Sequence, residues 1–478
     1  MRRRCAAVVL AAIAALSCHR RTAEDLESQD RLRSPEEWLR SEPVRLLRAY
    51  VRIDTTDARG EREGVLFLKA LLDCPRVESE VVCPAPGRCN LLARLPGRQH
   101  DGSLLLLSHV DVADAFPTLW KEATPFSGAI KLGFLYGRGA YDMKSIALAQ
   151  VLAIRDIALD GIVPEHDILL LAEADEEGKQ EWGSRWLLDH RPEWFAGVAA
   201  VLNEGGTNEM ILRQPRFFGV ETLQAGYGLL ELESPKAEPL RALAEKWRKL
   251  GGETVAPHPH VVRGFDMLAN HLPPPLSDSL RSLDRVRRTP AELAMLPDRY
   301  ASFLERRVWW TQPYAFPPGE TGNFRAYAVV STPPGIDPGP DLDRIAEDAR
   351  ASGVRIVSRT SSGPTAASPY PTPMTELLRR SVEARFPGVP FEAVPTFGGM
   401  TTSVEFRRRG IPTYGFSPIP FNITDAARRH GNDERIYLRD FIEGVEAYRD
   451  LVADFAASPE TLSRDRGDPT LARNESAQ

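Results

Sequence analysis

The sequence predicts an α/β protein: a layered domain with a largely parallel central sheet, interrupted by a smaller α+β unit. Two observations carry this prediction. Short apolar runs at Leu104–Leu107, Ile168–Leu171 and Val198–Leu202 alternate with the helix-length run Ile146–Leu159, and strands that alternate with helices stack as a sheet covered on both faces. The middle third then changes character, with Leu240, Leu243, Trp247 and Leu250 at helical spacing followed by Pro273-Pro274-Pro275, Pro333-Pro334-Gly335 and Pro338-Gly339-Pro340. A chain of 478 residues has room for two or three domains, so the insertion reads as one of them.

At the amino terminus Arg2, Arg3 and Arg4 precede an apolar stretch, Ala6–Leu16, that ends at Ser17-Cys18. This is the layout of an export signal over residues 1–17, and the stretch is about half of the ~20 residues that cross a bilayer. No later run approaches that length, so no transmembrane span is expected. Cleavage before Cys18 would leave a lipid-anchored cysteine of the bacterial lipoprotein kind. Plain secretion, or release into a periplasm, is the other reading, and both place the protein outside the cytoplasm. Residues 18–33 read as a tether. Ser34-Pro35-Glu36-Glu37 then matches the N-cap, N1 proline and N3 glutamate of a helix, which starts the ordered domain. Its first part is assigned to 34–224, the inserted lid to 225–360 and its second part to 361–457. In the second part helical spacing resumes at Met374 and stops at Pro387-Gly388, and Phe441, Val445, Tyr448, Val452 and Phe455 mark one face of a closing helix. Residues 458–478 read as a mobile polar tail.

Composition removes several classes of function. With 60 basic against 66 acidic side chains and a net charge of −6, nothing is available in excess to neutralise phosphates, so nucleic acid is not an expected partner. Cys74, Cys83 and Cys89 lack paired Cys-x-x-Cys spacing and are read as one local disulfide with a thiol left over, as an oxidising compartment permits. Gly137-x-Gly139 lacks the third glycine of a dinucleotide fingerprint, and no Gly-x-Ser-x-Gly elbow occurs.

Each of the three predicted strands ends in residues that are costly to bury: Ser108-His109-Val110-Asp111, Glu173-Ala174-Asp175-Glu176-Glu177-Gly178, and Asn203-Glu204-Gly205-Gly206. In open α/β sheets ligands bind at the carboxyl ends of the strands, so these termini should converge on one crevice, with Asp142 added from the start of the following helix. Several carboxylates in a partly dry cleft call for a cation. Imidazole together with carboxylate favours zinc, with manganese or cobalt as alternatives, and a pair of ions would share one carboxylate. His109 and Asp111 lie on one side of an extended segment, so Asp111 is expected to orient the His109 ring. Glu176 and Glu177 cannot point alike from a regular strand, which fits one holding metal and the other moving a proton. Taken singly, His109 reads as a core histidine, Asp142 as a helix cap and Glu176-Glu177 as a solvated acidic run. Their joint placement at strand ends overrides those readings. His166, His190 and His271 join no constellation.

The run His109-Val-Asp-Val, the stretch Pro125-Phe-Ser-Gly-Ala-Ile followed by Gly-Arg-Gly-Ala-Tyr-Asp142-Met-Lys, then Asp175-Glu-Glu-Gly, Asn203-Glu-Gly-Gly and Arg429-His430-Gly-Asn-Asp-Glu-Arg resemble the co-catalytic zinc peptidases of the carboxypeptidase S, aminoacylase and succinyl-diaminopimelate desuccinylase family. The resemblance covers the catalytic domain on both sides of the insertion. It implies a zinc-peptidase-like three-layer catalytic domain, interrupted by an α+β lid or dimerisation domain. It implies further that Asp142 bridges two zinc ions, that Glu177 and His430 complete one site and His109 and Glu204 the other, that Glu176 is the general base, and that the Asp142–Met143 peptide is cis.

The insertion departs from the family pattern. Relatives place a histidine, an asparagine and an arginine there to hold the substrate carboxylate and the oxyanion; here Ser331 stands where the arginine is expected, and His258, His260 and Arg325 are the available substitutes. Gly398-Gly399-Met400-Thr401-Thr402 resembles the family's Gly-Gly-Thr-Asp turn with Thr402 in place of the acid, so Gly398, Gly399 and Thr401 are candidates to hold a carboxylate through backbone N–H groups; a plain tight turn is the alternative. The function implied is hydrolysis of a small peptide or N-acyl amino acid next to a free carboxylate, by Glu176-assisted attack of zinc-bound hydroxide. A deacylase or dipeptidase of the same family is the alternative within enzymes, a metal-retaining binding protein without turnover the alternative outside them. A homodimer through the lid is the accompanying expectation.

Overall fold

The computed structural model describes residues 23–211, 214–248, 254–315, 322–396, 399–420 and 422–458. The expected export signal, Cys18 and all of the expected tail except Ser458 lie outside them. The catalytic part contributes β1 (Glu78–Ala85), β2 (Arg88–Leu95), β3 (Gln99–His109), β4 (Ala129–Lys131), β5 (Phe134–Tyr136), β6 (His166–Glu173), β7 (Val198–Asn203), β8 (Thr207–Ile211) and β9 (Gln214–Gln224). The insertion adds β10 (Gly226–Ser234), β11 (Arg307–Trp310), β12 (Tyr314–Ala315), β13 (Phe324–Thr332) and β14 (Arg355–Ser361), after which β15 (Phe391–Thr396), β16 (Thr413–Gly415) and β17 (Arg435–Tyr437) return to the catalytic part.

The predicted apolar runs become the middle of one sheet in the order β1-β2-β6-β3-β7-β16-β9-β15, with β8 beside β9. β6, β3, β7 and β16 run parallel to one another, as does β15 to β9, while β1, β2 and β8 are antiparallel. Continuous apolar runs suit strands buried on both faces. Leu104 and Leu106 point into a core shared with Lys144–Leu159, Pro373–Arg385 and Leu438–Ala457, whereas Leu105 and Leu107 point into a second core with Leu187, Phe195 and Phe406. Helices therefore cover both faces, and the carboxyl ends of β3, β6 and β7 lie side by side. The Ser34 capping box forms as read, with Glu37 closing it, and the closing helix buries its five marked residues.

Two boundaries differ from the sequence reading. Residues expected in the tether form the helix Ala23–Leu32, and Asp30 there is buried, hydrogen-bonded to Tyr437 Oη and paired with Arg439; a side chain with two such partners holds its segment against the domain. The insertion also divides. β10 to β14 form an antiparallel sheet with its own core, packed under Ala237–Trp247 and Gly339–Ala351. The helices between Pro259 and Ala301 instead bury Phe265, Leu268 and Tyr300 with Phe217, Leu223 and Val394 of the central sheet. Cys83 and Cys89 form a disulfide, and Cys74 remains a free thiol.

Phe441 is fully buried in the larger core. Phe441→Ala should therefore cost about 3–5 kcal/mol of stability, seen as a lower urea midpoint at unchanged slope.

Candidate metal centre

Five segments deliver the site. β3 ends at His109 in a fully parallel part of the sheet, and the His109 ring is 2 % exposed. Its Nδ1 lies 2.9 Å from the carbonyl of Asp111, an atom that only accepts, so Nδ1 carries the proton and Nε2 presents a lone pair. This corrects the expected arrangement: the Asp111 carboxylate stands off at 3.6 Å from Nδ1 and instead accepts the backbone N–H groups of Glu176 (3.1 Å) and Glu177 (2.8 Å). Asp111 thus orients His109 through its carbonyl and the two glutamates through its side chain.

Glu176 and Glu177 lie in the turn beyond β6, not in the strand, which frees them to diverge. Asp175 takes a left-handed conformation there (φ 62°), and its carboxylate accepts the N–H groups of Lys179 and Glu181 at 2.9 and 2.8 Å. Gly178 is needed at this turn, because a Cβ on it would come within 2.2 Å of the Asp175 carboxylate. Behind them Glu173 is buried, accepting from Ser184 N–H and Thr402 Oγ1, and burial lifts its carboxyl to about 7. Glu204 follows β7, its N–H bonded to Asn203 Oδ1 at 2.8 Å, with Gly206 (φ 70°) turning the chain so close to Gly219 that a side chain would clash at 2.4 Å.

Asp142 stands between the two histidines. Its Oδ1 is 3.1 Å from His109 Nε2 and its Oδ2 3.1 Å from His430 Nε2. Glu204 Oε1 is 3.6 Å from His109 Nε2, and Glu177 Oε1 is 2.9 Å from His430 Nε2. His109, Asp142 and Glu204 form one group, and Asp142, Glu177 and His430 another, in each of which ligand-type atoms lie within 4.8 Å of one another. Asp142 does not cap the helix Lys144–Leu159, whose N-cap is Met143, and the Asp142–Met143 peptide is cis.

The backbone around Asp142 is held by a pair the sequence reading quoted but gave no role. Glu434 accepts the N–H groups of Tyr141 (2.9 Å) and Asp142 (3.2 Å) and pairs with Arg138 at 2.6 Å; Arg138 also donates to the carbonyls of His430 (3.1 Å) and Asp114 (3.0 Å). Both side chains are buried. β5 pairs with β17 in the same small sheet, which brings the two segments into register, with Gly137 N–H on the Glu434 carbonyl.

The electrostatics call for cations. Burial opposes a proton on His430, but Asp142 and Glu177 outweigh it and push the ring up to about 10; burial likewise opposes a proton on His109, but Asp111, Asp142 and Glu204 outweigh it and hold that ring well above its usual range. Burial, with the charge of Asp142 added, raises Glu204 to about 8. Glu177 Oε1 is buried 2.9 Å from His430 Nε2; a carboxylate oxygen and an imidazole nitrogen brought this close are a donor set that a metal ion can take over from the proton between them. Burial raises Glu176 well above the carboxylate range, the His109 ring opposing and Glu204, Glu177 and Asp111 reinforcing it, which is the environment of a proton-transfer group.

The sequence profile of peptidase family M20/M25/M40 matches residues 105–454. The chain belongs to that family. Its members are metal-dependent and generally dinuclear, and this M20 protein is a hydrolase of the carboxypeptidase, dipeptidase or aminoacylase type. It is 26% identical over 439 residues to aminoacylase-1A of Rattus norvegicus, covering 87% of this chain and 96% of the relative. Over 150 residues, 31% of this chain and 36% of the other, it is 34% identical to a probable succinyl-diaminopimelate desuccinylase of Staphylococcus aureus. An M20 metallo-carboxypeptidase from Sulfolobus solfataricus superposes with a TM-score of 0.65 at 15% identity, covering 87% of this chain and 100% of that one. Human carnosine dipeptidase 1 does so with a TM-score of 0.65 at 16% identity, covering 87% and 97%. These last two likenesses concern the fold.

The substrate-holding candidates fare differently. His258 caps the helix Pro259–Ala269, and His260 hydrogen-bonds Thr222 on β9 at 3.0 Å, its ring held by burial to about 4; the contacts of His260 are with Thr222, His258 and Tyr370, none of them in the two metal groups. Arg325 pairs with Glu231 at 2.5 Å and Glu233 at 3.0 Å inside the lid sheet. Thr401 N–H is taken by Gln224 Oε1 at 3.2 Å and so is not open to an anion. Gly398 lies outside the described residues. Gly399 lines a cavity of about 270 Å³ with Tyr227, Trp309 and Ser331, between the turn and the lid.

Glu434→Gln, which keeps the side chain's shape and one acceptor oxygen, should lower metal affinity about 10- to 100-fold, measured by competition with a chromophoric chelator, with circular dichroism to follow the fold.

Proposed function

We propose that the protein is an exported di-zinc hydrolase that cleaves the amide bond of an N-acyl amino acid or small peptide next to a free carboxylate. The single observation that carries the reading is the Asp142 carboxylate with one oxygen 3.1 Å from each of two histidines, a geometry suited to bridging. In this reading His109, Asp142 and Glu204 hold one ion and Asp142, Glu177 and His430 the other. Two bound dications polarise the amide carbonyl and acidify water at neutral pH. Glu176, buried and raised in pKa, would accept a proton from the attacking water as its oxygen adds to the carbonyl carbon, and return the proton to the amine nitrogen as the C–N bond breaks. Asp111 keeps the Glu176 and Glu177 backbone in place during the transfer. The full-length likeness to an aminoacylase supports N-acyl amino acids as the first substrates to try.

The purified protein should cleave members of a panel of N-acyl amino acids and dipeptides, and a chelator should abolish cleavage until zinc, manganese or cobalt is restored. Glu176→Gln should keep its metal content while kcat falls about 10²- to 10⁴-fold, with metal measured by inductively coupled plasma spectrometry; full turnover in that variant would require another base. For export, Arg2–Arg4, the apolar run and Cys18 supply the motif, and the Cys83–Cys89 disulfide fits an oxidising compartment. Cys18→Ala should move the protein from the membrane fraction to the soluble fraction; an unchanged distribution would leave plain secretion.

A further inference from the structure

We propose that Arg429 is the group that grips the free carboxylate of the substrate, from the rim of the metal centre and not from the lid. The proposal rests on the hydrolase reading above. An N-acyl amino acid has only three bonds between its scissile carbonyl carbon and its carboxylate carbon, at most about 4.3 Å laid end to end. Whatever holds that carboxylate must therefore stand beside the ions.

The basic side chains around the cleft are mostly committed. Arg138 is spent on Glu434 and two carbonyls, Arg325 on Glu231 and Glu233, and Arg407 on Glu221. Arg429 differs. Its Nε is 3.8 Å from Asp142 Oδ2, beyond hydrogen-bonding distance, its side chain is 50% exposed, and it donates no side-chain hydrogen bond among the described residues. His430 takes a left-handed conformation (φ 57°), a turn that lets two consecutive side chains, Arg429 and His430, approach the same carboxylate oxygen, at 3.8 and 3.1 Å.

Charge decides what Arg429 faces in the working enzyme. Asp142, Glu177 and Glu204 bring three negative charges to the two groups, and two dications overbalance them. The counter-charge that Arg429 has in Asp142, Glu204 and Glu177 is then consumed, leaving its half-exposed planar fork of donors for another anion. Such a fork matches a carboxylate bidentately, which a point cation cannot do.

The test compares acid with amide. From N-acetyl-L-leucine, N-acetyl-L-phenylalanine and N-acetyl-L-glutamate, the substrate cleaved fastest by the wild type is assayed beside its α-carboxamide. Arg429→Ala should raise KM for the acid roughly 10- to 100-fold and leave kcat/KM for the carboxamide within about threefold, with Arg429→Lys recovering part of the loss. Calorimetric titration of the same acid into the zinc-loaded Glu176→Gln protein, with and without Arg429→Ala, should show the same loss of affinity without turnover, at unchanged zinc content. Equal losses on acid and carboxamide, or zinc lost from Arg429→Ala, would overturn the role of Arg429 while leaving the hydrolase reading intact. Absence of metal-dependent cleavage by the wild type on every substrate would remove that reading and this one with it.

Discussion

The buried pair Arg138–Glu434 is the contact on which the centre depends. It joins segments almost three hundred residues apart, and through it the Asp142 backbone and the His430 carbonyl are fixed to the same two side chains. A buried ion pair is a poor source of net stability, because desolvation offsets most of the attraction. Its use here is geometric: each charged group has more than one backbone partner, so neither segment can shift without breaking several hydrogen bonds at once. The pairing of β5 with β17 provides the register that makes this possible.

Around that fixed point the carboxylates of Asp142, Glu177 and Glu204 gather with the rings of His109 and His430. Burial raises the proton affinity of Glu204 and Glu176, and the Asp142 and Glu177 carboxylates raise that of the half-exposed His430 ring against its burial. A cation bound at these two groups would replace protons on His430 and Glu204, so metal binding there would be coupled to proton release.

The insertion divides its work. Its helices from Pro259 extend the core of the central sheet, and His258 and His260 go with them into packing. Its sheet is self-contained, and Arg325 is neutralised within it by Glu231 and Glu233. Arg325 is thus committed within the lid sheet, and a cavity lined by Gly399, Tyr227, Trp309 and Ser331 lies between that sheet and the catalytic part.

Much was legible in the chain itself. Leu104–Leu107, Ile168–Leu171 and Val198–Leu202 could only be doubly buried strands, and the polar residues just after them had to share one end of the sheet, so His109, Glu176, Glu177 and Glu204 were readable as one site before any coordinates. The start of the following helix added Asp142, and the resemblance to the family added His430. What the sequence could not decide were contacts between residues far apart in it whose types are unremarkable in isolation: that Asp30 anchors a helix expected as a tether, that the Asp111 carbonyl and not its carboxylate meets the ring, that Glu434 holds Asp142, and that His260 and Arg325 are already engaged. Hydrophobic periodicity reports which face of an element is buried, a local property; a hydrogen-bond partner is settled only when separate elements dock, because donors and acceptors of suitable type are abundant along the whole chain.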